Sequence, residues 1–273
     1  AGDGGDEVFA GYQKYTIDRI ENNLRRMIPE VVRTKLFPAF AAFFKTFNNA
    51  YCKKASSLLG SLSVDPARGF YITNSQITDD IWQRIATDET KHKIGSYHPS
   101  QITTHYYHQC DGIDHLSRIL YTDMKTYLPG SILVKVDRMS MANSLEVRAP
   151  ILDYELIEFA ATLPSSLKYK NGQKKYILKE AFRDLLPEEI LQRRKMGFSV
   201  PLAEWLRSEI RPLAERALFE SRGGLGDYFK LQEIKEIWDQ HQSGERDFSI
   251  PLWSMLMFQM WWNNYMQPTK GKA

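Results

Sequence analysis

The sequence predicts a mostly α protein, on three observations. Apolar residues recur at the i, i+3, i+4 spacing of a helix along most of the chain. Capping residues and prolines punctuate that pattern at helix-length intervals. Strand signals are few, and the clearest turn is Tyr169-Lys170-Asn171-Gly172-Gln173, where Asn-Gly readily takes positive φ. With 273 residues, 43% of them hydrophobic, the chain is long enough for one large domain or two small ones.

A first helix is expected over 6–28, where Val8, Phe9, Tyr12 and Tyr15 share a face, Asp6 stands as N-cap and Pro29 ends the run. The stretch 30–47 is apolar on one side, with Leu36, Phe40, Phe43 and Phe44, and Pro38 divides or kinks it. A short helix over 50–60 stops at Gly60, and Asp65-Pro66 reads as an N-cap followed by proline at the first helical position. Thr78-Asp79-Asp80 opens a helix carrying Ile81, Trp82 and Ile85, and the polar stretch 87–101 reads as a loop. Asp114 caps a helix through Leu116, Leu120 and Met124 to Tyr127, which Pro129-Gly130 breaks before a further helix over 131–143. Leu145 to Pro150 is extended, as the residue before proline prefers. Asp153 caps a helix to about 163 that Pro164 ends, helix 174–186 follows the turn, and Pro187 starts a short one. Beyond the basic loop Arg193–Phe198, Pro201 opens a long helix to about 220, and helices near 230–242 and 248–266 close the chain. Trp253, Trp261 and Trp262 are expected on a core-facing helix.

Net charge is +3 at pH 7, with 36 basic and 33 acidic residues, so composition gives no reason to expect nucleic-acid or membrane binding. No apolar run reaches transmembrane length, and the N-terminus does not read as a signal peptide. Two cysteines, Cys52 and Cys110, make no disulfide framework, which points to a reducing, cytoplasmic setting.

The chemistry is concentrated in Gly2-Asp3-Gly4-Gly5-Asp6-Glu7. Glycines leave backbone N–H groups open to line an anion-binding nest. Interleaved carboxylates suit Mg²⁺, which shares oxygen ligands with phosphates. Lys195, preceded by two arginines and followed by Gly197, is placed to neutralise charge on a phosphate or carboxylate. In the block 136–153, Arg148 is expected to pair with Glu146 or Asp153, because charges set among apolar residues are usually paired. His105 and His108 have the spacing of a zinc pair, but no fourth ligand stands at suitable spacing, so no metal site is assigned there.

Taken together, these stretches resemble the synthetase domain of the glutamine-hydrolysing asparagine synthetases. The matching pieces are Gly2 to Tyr12, Asp137-Arg138-Met139-Ser140-Met141, Leu145 to Asp153, Lys175 to Glu180, Arg194 to Phe198 and Leu252-Trp253, in the family's order. The resemblance is strong over 1–15 and 128–205 and weak from about 30 to 110. It implies an α/β fold of the adenine-nucleotide α-hydrolase type, of which this chain is the helical C-terminal part. The expected layout is a single fragment over 1–273: an acidic ATP/Mg loop and first helix at 1–28, a variable helical region at 29–112, and a helical core at 113–267 with the active-site loop near 195. The family's glutaminase domain and pyrophosphate loop have no counterpart in it.

The resemblance also implies site roles. Gly2, with Gly4 and Gly5, matches the backbone that contacts ATP. Asp3 matches a catalytic acid, Asp6 a Mg²⁺ ligand, and Lys195 the lysine that stabilises charge at the α-phosphate. Ala1 stands where serine is usual. The implied reaction makes β-aspartyl-AMP from aspartate and ATP, and ammonia from glutamine then displaces AMP. A homodimer and a glutaminase domain are the implied partners, with no nucleic acid and no membrane. The alternatives are a related amidotransferase acting on another carboxylate, such as a surface-polysaccharide sugar, or a non-catalytic helical module. β-Lactam synthetases carry tyrosine at the position of Asp3, which argues against them. Without the pyrophosphate loop, the chain alone is expected to be inactive.

Overall fold

Helical periodicity dictates the architecture of the computed structural model, which describes residues 2–47, 49–193 and 200–266. Among these residues the sheet content is one two-stranded antiparallel hairpin. It joins Tyr169–Lys170 to Gln173–Lys174 around Asn171 and Gly172, both at positive φ. The rest is helix and connecting loop, so the predicted mostly α class holds. The chain divides into two compact units, residues 1–74 with 98–194, and residues 75–97 with 195–273.

In the first unit, helices Gly5–Phe9, Gln13–Met27, Pro66–Asn74, Ser100–Gln109 and His115–Lys125 supply the core residues Ala10, Tyr15, Ala67, Phe70, Tyr107, Ile119 and Leu120. A second cluster centres on Val8, Phe9 and Ala160. Helix Gln13–Met27 turns a polar face inward: Asp18, Glu21 and Arg25 are buried together with Tyr15. Every one of them finds a partner, as burial of charge demands. Asp18 meets His115, whose other ring nitrogen meets the Tyr107 hydroxyl at 2.7 Å. Glu21 accepts from Ser61 at 2.5 Å, and Arg25 donates to the carbonyls of Ser61 and Val64. Asp123 accepts from the Tyr15 hydroxyl at 2.6 Å and pairs with Lys14 at 2.7 Å.

The caps at Asp65, Asp114 and Asp153 form as expected, each side chain accepting from a first-turn N–H. Several expectations need correction. The helix expected over 174–186 runs only Tyr176–Ala181, because Gln173–Lys174 pairs as a strand and Lys175 takes the left-handed conformation. The helix expected over 6–28 breaks at Ala10, which takes φ 58°, so Asp6 lies inside the first turn and Gly4 is the N-cap. The helix that Asp114 caps already ends at Lys125, where Thr126 leaves the helical region at φ −122°, so Pro129-Gly130 is not what stops it. The chain widens into a π-helical stretch, Leu128–Leu133, and continues as Val134–Met141. That geometry re-routes hydrogen bonds around the proline, whose missing N–H would otherwise break the ladder. The stretch 87–101 holds helix Asp88–Ile94, capped by Thr87, and the start of Ser100–Gln109. The helix expected from Pro201 to 220 breaks at Ser208 and Ile210 into Leu202–Arg207 and Arg211–Phe219.

The second unit has its own core, built from Ile81, Ile85, Leu206, Leu218, Ile234, Trp238, Leu252, Met255 and Leu256. Helix Ser249–Tyr265 is core-facing, but through Leu252, Met255, Leu256 and Gln259; Trp253 and Trp261 lie toward solvent, and the fully buried tryptophan is Trp238. His241 is buried here. Its Nδ1 accepts from Phe248 N–H and its Nε2 faces the Ala203 carbonyl, both at 3.2 Å. One neutral tautomer satisfies both contacts, and burial, with Arg207 nearby, holds its pKa below 6.5. A histidine with a depressed folded pKa contributes stability that is present above its unfolded pKa and is lost as pH falls through the folded one. The denaturation midpoint of the chain should therefore drop below about pH 6.5, and His241→Gln should flatten that part of the curve in urea titrations.

Candidate active site

The glycine-rich turn at the start of the chain is a packed structure. Gly4 takes φ 82°, and a Cβ there would sit 2.0 Å from Leu152 Cδ2. A Cβ on Gly5 would come within 3.2 Å of Ile151 Cδ1. Both glycines are buried, so the turn presses onto the segment 150–152. Gly2 differs: it is exposed, and a Cβ there would meet nothing within 4 Å.

Asp6 projects from the first turn and pairs with Lys175 Nζ at 2.9 Å, its side chain 19% exposed. Lys175 is fixed from the backbone as well: it takes the left-handed conformation, φ 54°, and donates its N–H to the Phe9 carbonyl at 3.1 Å. Gly11 lets the pair form. A Cβ there would lie 1.8 Å from Asp6 Oδ1 and 2.3 Å from Lys175 Cε. Gly11→Ala should therefore displace the pair and destabilise the fold by about 1–3 kcal/mol, the usual cost of overpacking. Thermal unfolding of the variant checks this, and an unchanged midpoint would show that the pair relaxes freely.

Glu7 faces the other way. It is 1% exposed and accepts from the Tyr12 hydroxyl at 2.7 Å. Burial, and then Glu7 itself, push the Tyr12 phenol far above its ordinary value, so Tyr12 stays a neutral donor. Its ring meets Tyr15 and Tyr127 at centroid distances of 5.6 and 5.8 Å.

Asp3 is half-buried and lines a pocket of about 290 Å³ with Leu133, Val136, Asp137, Met141 and Glu146. The pocket thus joins the acidic turn to the 137–141 and 145–149 stretches, three carboxylate side chains standing among apolar ones. Arg148 pairs with Glu146 at 2.9 Å as expected, but both are exposed, so the pair is a solvated one that adds little stability. Asp153 serves instead as the cap of its own helix.

The structure therefore brings Gly4, Gly5, Asp6, Ile151, Leu152 and Lys175 together, and sets Asp3 in the adjoining pocket. Lys195 lies outside the described residues. Sequence reasoning misses Lys175 as the partner of Asp6. The block from Lys175 to Glu180 stands out in sequence, but it lies far along the chain from Asp6, and no local pattern encodes that contact. Among the described residues no group of three or more His, Cys, Asp or Glu side chains is placed to hold a metal ion. Cys52 and Cys110 are free thiols, both half-buried.

The family model for asparagine synthase matches residues 1–263. An asparagine synthetase (glutamine-hydrolysing) 1 of Bacillus subtilis (strain 168) is 29% identical over 268 residues, 96% of this chain and 39% of its own length. A Mycobacterium tuberculosis (strain ATCC 25618 / H37Rv) protein provisionally named asparagine synthetase is 30% identical over 275 residues, again 96% of this chain and 38% of its own. The amidase chyE of Penicillium rubens is 24% identical over 270 residues, 86% of this chain and 37% of its own. No solved structure matches. The chain spans about two-fifths of the length of these relatives. With the family model covering nearly the whole chain, the chain belongs to the asparagine synthase family.

Proposed function

We propose that this chain carries part of the site at which ATP activates the side-chain carboxylate of aspartate for amidation. The observation that carries the reading is the convergence of the acidic turn, the 150–152 segment and Lys175 around one fixed carboxylate, Asp6. In this reading a carboxylate oxygen of aspartate attacks the α-phosphorus of ATP, the bond to pyrophosphate breaks, and β-aspartyl-AMP forms. Ammonia, supplied by glutamine hydrolysis in a glutaminase domain, then attacks the acyl carbon and AMP leaves.

Asp6 is the residue that would hold Mg²⁺. One carboxylate suits this ion, which binds through one or two carboxylates together with substrate phosphates and waters. When bound, it supplies charge neutralisation for the phosphates. Lys175 holds that carboxylate in place. The open backbone at Gly2, next to Gly4 and Gly5, is the proposed ATP contact. Asp3, in the pocket, accepts a proton from the attacking ammonia. Lys195 takes the role the family resemblance gives it, stabilising charge at the α-phosphate.

A second reading changes only the acceptor. A relative named amidase aligns over most of this chain, so the matched region does not by itself dictate aspartate. The test is the product set of the full-length protein given ATP, Mg²⁺, aspartate and glutamine. Asparagine, AMP and pyrophosphate in equal amounts, lost in Asp3→Asn and Lys195→Ala, are the expected result. Turnover of ATP that ignores aspartate but follows another carboxylate would select the second reading.

A further inference from the structure

Residues 31–64 contain five of the chain's 36 basic residues and none of its 33 acidic ones. The whole-chain balance of +3 conceals this segment. The same stretch holds most of helix Glu30–Lys35 and all of Phe37–Lys45 and Ala50–Leu62. Helix Phe37–Lys45 packs one side, Phe37, Ala41 and Phe44, toward Ala50–Leu62, and the Ser56 hydroxyl donates to the Ala41 carbonyl at 2.8 Å. Beside that packed side run Leu36, Phe40, Phe43 and Phe47, spaced i, i+4, i+7, i+11 along one stripe, with Phe43 meeting Phe44 at 5.7 Å. These four are 51%, 52%, 57% and 44% exposed. None of the residues of either Glu30–Lys35 or Phe37–Lys45 is buried.

A helix with aromatic side chains on its outer face would normally bury them in a core. Here the three outward phenylalanines alone leave roughly 300 Å² of aromatic surface in water, the size of patch that marks an interaction site. Phe43 and Phe47 stack edge-on at 5.2 Å, which joins them into one ridge. Exposed Lys35 and Lys54 lie in the same acid-free segment. An apolar aromatic stripe in a segment that carries lysines on its other faces, with no carboxylate in the segment to repel an anionic surface, has the composition of a helix that lies in a lipid headgroup layer. Among the described residues no helix is long and apolar enough to cross a membrane.

We propose that the Leu36–Phe47 stripe docks this chain peripherally on an anionic lipid surface, the phenylalanines entering the headgroup–acyl boundary and the lysines meeting lipid phosphates. The test is co-sedimentation of the full-length protein with vesicles of phosphatidylcholine alone or with about 30 mol % phosphatidylglycerol. Binding should appear with the anionic vesicles, fall at about 0.5 M NaCl, and weaken about tenfold or more in Phe40→Ser/Phe43→Ser. Because those side chains support no core, circular dichroism of the double variant should match the parent. Lys35→Gln/Lys54→Gln gives an independent arm that removes only the charge attraction, and it should weaken binding to the anionic vesicles. Protein that stays in the supernatant with anionic vesicles would overturn the proposal, as would binding that the serine variant leaves unchanged. So would sedimentation-velocity data showing a dimer that Phe40→Ser/Phe43→Ser dissolves, which would give the stripe to a second copy.

Discussion

Asp6→Asn in the full-length protein is expected to lower aspartate-dependent pyrophosphate release at least about a hundredfold, the scale seen when one preorganised electrostatic contact to a reacting group is lost. The asparagine side chain keeps the shape and removes the charge. Two things then fail together. The proposed Mg²⁺ contact disappears, and the Lys175 ammonium, only partly exposed, loses its partner at 2.9 Å. Asp6→Glu is the informative companion. It restores the charge, but its extra methylene enters the space that Gly11 keeps open. Partial recovery at raised Mg²⁺ would assign the defect to the metal contact. Recovery that ignores Mg²⁺ would assign it to the Lys175 pair. Near-normal release in Asp6→Asn would remove this carboxylate from the chemistry.

Asp123→Ala is expected to cost the chain about 1–3 kcal/mol, the usual penalty for leaving a buried polar group without its partner. Asp123 is 3% exposed and serves two donors, the Lys14 ammonium and the hydroxyl of the fully buried Tyr15. Burial pushes its pKa up, against the pull of Lys14 and Tyr15, so its charge is held only by those two contacts. Its loss strands the Tyr15 hydroxyl and leaves the half-buried Lys14 ammonium without its counter-charge. Asp123→Asn keeps an acceptor for Tyr15 and should lose less. The effect should reach the acidic turn as well, since the Tyr15 ring packs on Tyr12, which holds Glu7. Denaturant titration gives the stability, and equal midpoints for parent and Asp123→Ala would mean that water replaces the carboxylate without penalty.

Much of the fold was legible because the signals are local. Asp65, Asp114 and Asp153 cap helices as their side chains dictate, and Asn171-Gly172 turns the hairpin. The failures are also physical. Ala10 at φ 58° breaks a run that periodicity alone continues, because the backbone must turn to deliver Gly11 to the Asp6–Lys175 pair. The π-helical bypass of Pro129 depends on neighbours that no local pattern records. The acidic turn stood out in sequence, whereas its partners did not. The Lys175 side chain, the Leu152 contact and the inward polar face of Gln13–Met27 are all long-range, and a charged helix face reads as solvated until its partners are seen.

Adenylation of a carboxylate is the chemistry proposed for the family site in this chain. Its most direct test uses aspartate labelled with ¹⁸O in its side-chain carboxylate, given to the full-length protein with ATP, Mg²⁺ and ammonia. Attack on the α-phosphorus predicts ¹⁸O in the phosphate of AMP, with pyrophosphate unlabelled. Label in inorganic phosphate alongside ADP, or AMP formed without label, would contradict it.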